Sequence, residues 1–139
     1  MTAHVINKGQ REKIKERIAN FLQKKPDIIF AYLYGSFLEG DFRDIDVAVY
    51  LAGISKGEAL QYEINLENEL GKRAGFWADV RILNHAPLCF RFSVVRSGIL
   101  LFSKDERIRC DFECLTIVEY HDFDFLRKIY RWEALGIKV

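Results

Sequence analysis

The chain has 139 residues, half of them apolar, and a formal net charge of +1. That length suits one domain with a core of its own, and that charge argues against the strongly basic surface of a protein that grips nucleic acid by its phosphates. No stretch reaches the length of a transmembrane span and the polar start lacks the apolar segment of a signal peptide, so a cytoplasmic protein with no membrane partner is expected.

Residues 8–25 read as an amphipathic helix. Ile14, Ile18, Phe21 and Leu22 form one stripe, and Arg11, Lys13, Lys15, Arg17 and Lys24 surround it as a solvated face. Pro26-Asp27 ends that helix and launches an apolar strand from Ile28 to Tyr34. The strand stops at Gly35-Ser36, where a residue without Cβ lets another group approach the backbone. Seven residues, Phe37 to Arg43, lead to a second strand from about Asp44 to Leu51. Ser55 is then a candidate N-cap for a helix from Lys56 to about Arg73, with Leu60, Ile64 and Leu70 facing inward and Gly75 closing it.

A third strand, Trp77 to Leu83, contains Asp79. Asn84 is a candidate N-cap for a helix of roughly Pro87 to Arg96, with Leu88, Cys89, Phe92 and Val95 as its apolar side and His85 at its entry in a capping or surface role. Ile99 to Phe102 forms a short strand on the sheet edge, and Asp105 starts a long helix carrying Ile108, Phe112, Leu115, Phe123, Leu126 and Ile129. Its tail holds Tyr120, Phe123, Phe125, Tyr130, Arg131 and Trp132, more apolar side chains than one helix face needs. Residues 105–139 are therefore expected to offer a partner a surface, with ordinary core as the rival reading. Cys89, Cys110 and Cys114 are odd in number and lack C-x-x-C spacing, so reduced, buried or half-buried thiols are expected. Cys110, Cys114 and His121 lack a fourth ligand for zinc and are set aside as a metal site.

The chemistry gathers at the head of the second strand. Residues i and i+2 of a strand share a face, so Asp44 and Asp46 aim together while Ile45 and Val47 aim the other way. Two like charges side by side repel, and a cation between them relieves that repulsion. Mg²⁺ suits such a site because it takes a few carboxylates and completes its shell with phosphate oxygens. Asp79, an acid inside an otherwise apolar run, needs a partner and fits as a third carboxylate. Arg43 and Arg81 flank these acids, placed either to neutralise phosphate charge or to pair with the carboxylates. Three carboxylates at strand ends beside a Gly-Ser turn read as a metal-dependent phosphoryl or nucleotidyl transfer site.

Gly35-Ser36, then Asp44-x-Asp46, then Asp79 on a later strand resembles the polymerase-β-type nucleotidyltransferase superfamily, and within it the minimal nucleotidyltransferases, abbreviated MNT. That resemblance implies an α/β (α+β) palm: a small mixed sheet with helices packed largely on one side, as a single domain over residues 1–139. It implies that Gly35 and Ser36 hold the nucleotide's phosphates. Asp44, Asp46 and Asp79 would hold Mg²⁺ or Mn²⁺, with Asp79 beside the attacking hydroxyl. ATP is the expected substrate, with AMP passed to a hydroxyl acceptor. MNT proteins resemble the antitoxin half of modules whose other half is a HEPN-domain ribonuclease, which makes a tyrosine of a HEPN-type protein the expected acceptor. Transfer to a small hydroxylated molecule, and a non-catalytic antitoxin that masks its partner by binding, are the alternatives. The nucleobase and the oligomeric state stay open.

Overall fold

The computed structural model describes residues 7–38, 40 and 44–136. Helix α1 (Lys8–Gln23) opens on a reciprocal cap in which the Asn7 side chain accepts from the Gln10 amide and the Gln10 side chain accepts from the Asn7 amide. Strand β1 (Ile28–Tyr34) follows, then a four-residue 3₁₀ turn (Gly35–Leu38), β2 (Asp44–Leu51), α2 (Lys56–Ala74), β3 (Trp77–Ile82), α3 (Leu88–Ser97), β4 (Ile99–Ser103) and α4 (Glu106–Leu135). The four strands lie in the order β3-β2-β1-β4. β1 runs antiparallel to β2 and β4, and β2 runs parallel to β3, with α2 as the crossover that a parallel pair needs.

The sheet is covered on both faces, which corrects the expectation of helices largely on one side. Ala31, Leu33, Val47, Val49 and Val80 pack with Ile14, Ile18 and Leu22 of α1 and Leu66 and Leu70 of α2. The alternate residues Phe30, Tyr32 and Ala48 pack with Val94 of α3, with Phe90 beside it, and with Ile108 and Phe112 of α4. Central strands apolar on both faces need cover on both. The second cover does not reach all of β3, where Trp77 and Arg81 stay exposed. That gap leaves the acids half-buried.

Several local expectations also shift. In α2, Leu60 and Ile64 are exposed, and Leu66, Leu70 and Ala74 are the buried positions. Ser55 is the N-cap residue, but its hydroxyl donates to the Glu58 carboxylate instead of capping a backbone amide. Asn84 caps no helix: its side chain accepts from the Leu51 amide and donates to the Leu51 carbonyl, extending the strand pairing by one residue. Val94 is the one fully buried residue of α3, and Pro87 is its N-cap. Cys89, Cys110 and Cys114 are all exposed, contrary to expectation. Among the described residues, no helix is long and apolar enough to cross a membrane.

Candidate active site

Strand pairing brings the acids together. Asp46 on β2 lies opposite Asp79 on β3 and opposite Tyr34 on β1, and Asp44 lies opposite Trp77. Asp44, Asp46 and Asp79 share the sheet face that α3 and α4 leave partly open. Gly35 follows Tyr34 with φ +82°, a left-handed conformation that glycine adopts freely. A Cβ there would stand 2.2 Å from Asp46 Oδ2, so the turn and the carboxylate meet only because residue 35 has no side chain. Gly35 and Ser36 are exposed. Arg43 lies outside the described residues.

The electrostatics follow from the crowding. Burial, Asp79 and Asp44, in that order, push the Asp46 carboxyl up to about 6, and Arg81 only partly opposes them. Burial and then the charges of Asp46 and Asp79 raise the Tyr34 phenol, so its hydroxyl stays neutral and able to donate. The Tyr34 ring is held edge-on against Phe90 at 5.5 Å. Asp79 has the partner its setting called for: Arg81 Nε stands 3.6 Å from Asp79 Oδ1, at a half-exposed position where such a pair contributes little stability.

The acids have the chemistry of a cation site. Asp44 Oδ1 is buried and meets no hydrogen-bond donor among the described residues, and Asp46 beside it carries a charge that its neighbours oppose. Among the described residues no three His, Cys, Asp or Glu side chains form a ready-made cage. A partial set of carboxylates fits Mg²⁺, which keeps water and phosphate oxygens in its shell. The donor set therefore fits the group that the resemblance implied.

Two further carboxylates were missed in the sequence. Glu63 of α2 accepts from the Ile82 amide at 2.9 Å, and Glu67 accepts from the Val80 amide. Burial, Asp79 and Glu63 raise Glu67. Both amides lie on the outer edge of β3, so α2 supplies the acceptors that a neighbouring strand would otherwise provide. The available signal was the spacing: like charges at i and i+4 destabilise a helix unless they face a common donor. His85 has a structural tie, its Nε2 donating to the Ile54 carbonyl at 2.8 Å. An open cavity of about 640 Å³ runs along the start of β3, between Glu67, Gly71 and Lys72 of α2 and the exposed Trp77.

A mixed four-stranded sheet with paired carboxylates on one central strand, a third on its parallel neighbour and a glycine turn against them is the palm of a nucleotidyltransferase. Residues 16–107 match the family described as "Polymerase beta, Nucleotidyltransferase", and the chain belongs to that family. No curated protein matches it. Among solved structures, a chain in the complex of tri-AMPylated Shewanella oneidensis HEPN toxin with MNT antitoxin matches with a TM-score of 0.69 and 21% identity, over 90% of this chain and 98% of that one. A chain of the MntA-HepT toxin-antitoxin structure matches at 0.63 and 20%, over 93% and 99%. A chain of a toxin-antitoxin structure with AMP-PNP matches at 0.63 and 21%, over 94% and 99%. At these identities the likeness is one of fold.

Proposed function

We propose that this chain is the antitoxin of a HEPN/MNT pair and acts by moving AMP from ATP to a tyrosine hydroxyl of its HEPN-type partner in the cytoplasm. The observation that carries the reading is the register of Asp46 against Asp79, with Gly35 seated on Asp46 where any other residue would clash. It is supported by the fold shared with chains of structures that contain an AMPylated HEPN toxin and, in another, AMP-PNP.

In this reading the backbone of Gly35 and Ser36 and the Ser36 hydroxyl hold the terminal phosphates, because preorganised donors favour anionic oxygens. Asp44, Asp46 and Asp79 would hold Mg²⁺, which supplies charge stabilisation to the entering and leaving oxygens of an in-line displacement. Asp79, on the open side of the sheet, takes the proton of the acceptor hydroxyl. The acceptor oxygen bonds to the α-phosphorus, the bond from that phosphorus to the bridging oxygen breaks, and pyrophosphate departs with the electron pair. The exposed apolar residues of α4, among them Leu115, Phe125, Leu126 and Trp132, supply the surface on which the partner docks.

The test is to look for a HEPN-type protein in the neighbouring reading frame, co-express it with this chain and measure its intact mass. One or more added AMP units, lost with Asp46→Ala, support transfer. A stable complex with an unmodified partner replaces transfer by masking.

A further inference from the structure

Arg11 sits in the first turns of α1, among basic residues whose pattern reads as a solvated face, yet its guanidinium turns inward. Nη1 donates to the Phe37 carbonyl and Nη2 donates to the Gly40 carbonyl, the latter at 2.9 Å. The guanidinium carbon also lies 5.1 Å from the centre of the Phe37 ring, which is buried. One side chain thus ties two carbonyls of the segment that follows Gly35 and Ser36 to a helix that is capped by Asn7 and packed through Ile14 and Ile18.

The consequence follows from peptide geometry. In a planar trans peptide the carbonyl and the next amide point in opposite directions. Holding the Phe37 carbonyl on the α1 side therefore fixes the last peptide of the 3₁₀ turn that begins with Gly35 and Ser36. It also keeps a carbonyl oxygen, which would repel a phosphate, out of the way of an incoming polyanion. A lysine could not do this, since an ammonium lacks the planar fork that serves two acceptors in fixed geometry. We infer that Arg11 is a positioning residue for the phosphate-binding turn: it acts through the carbonyls of Phe37 and Gly40, touches no nucleotide, and sets the turn's amides in their binding orientation before ATP arrives. This rests on the nucleotide-binding role proposed above for Gly35 and Ser36.

Two measurements on the full chain test it, for the parent, Arg11→Ala and Arg11→Lys. The first is amide hydrogen exchange of Phe37 and Leu38 without nucleotide. The second is calorimetric affinity for ATP with Mg²⁺. Both variants should exchange at the turn at least about tenfold faster and bind ATP about tenfold more weakly, with Arg11→Lys restoring neither fully although it keeps the charge. Exchange at the parental rate in both variants overturns the tie. Faster exchange with parental ATP affinity overturns the positioning role and leaves a structural contact. If the parent itself binds no ATP, the nucleotide role of Gly35 and Ser36 fails separately. The exchange rates then decide the clamp alone: faster in both variants keeps it, unchanged removes it.

Discussion

Asp46 keeps its proton up to about pH 6 because burial and two neighbouring carboxylates oppose its charge. In the unfolded chain the same group ionises near 3.8. Between those values the folded state binds the extra proton. This contribution to stability is therefore complete below the lower value and is lost as pH rises through the upper one. Asp46→Asn removes the charge without removing volume, so it should melt higher than the parent at pH 7.5, with the gap closing as pH falls toward 4. Calorimetric scans across that range check it, and equal melting at pH 7.5 would show the repulsion to be relaxed already. Gly35 lends itself to a cycle. Gly35→Ala forces a Cβ into Asp46 Oδ2 and a left-handed backbone on alanine, the second costing about 1–2 kcal/mol. Combined with Asp46→Ala, the steric part should vanish and the backbone part remain, so urea unfolding of the four proteins should give a favourable coupling.

At the scale of elements, the acid register was legible because strands have a fixed period of two. Asp44 and Asp46 could be placed on one face from spacing alone, and β3 brought Asp79 to them. Helix faces were less legible. Leu60, Ile64 and Leu70 look like an inward stripe, yet α2 turns Leu66 and Leu70 to the sheet and spends Glu63 on the edge of β3. An amphipathic count cannot see a carboxylate that faces a strand's spare amides. Arg11 was missed for the same reason, since its acceptors lie 26 and 29 residues away. If Glu63 closes that edge, Glu63→Ala should destabilise the protein by about 1–3 kcal/mol in urea, while Glu63→Gln, which keeps an acceptor oxygen, should lose much less.

For the whole molecule, cover on both faces was readable in principle, since Phe30 and Tyr32 alternate with Ala31 and Leu33 along β1 and both sets are apolar. The long α4 accounts for much of the second cover. Its first half stacks Tyr120 on Phe92 at 3.7 Å and receives Arg91 on Thr116 and Glu119. From residue 125 to 136 every residue is exposed, including Phe125, Leu126, Tyr130, Trp132 and Leu135. No sequence pattern separates such a stripe from core, because both consist of the same side chains. If it carries the partner, Leu126→Asp with Trp132→Ala should weaken the complex at least about tenfold in a pull-down titration and leave ATP affinity unchanged.

The free half of α4 bears on how long the chain survives. The eleven helical residues from 125 to 135 extend about 16 Å with little besides their own hydrogen bonds to hold them, and a helix of that length is marginal in water. Its last turns therefore open often, and a protease reads the open state in proportion to its population. Limited trypsin digestion of the protein alone should cut first after Arg127, Lys128 or Arg131, and a bound partner should suppress those cuts. Supply of this protein would then follow supply of its partner, with no regulator beyond a helix too apolar to stand alone.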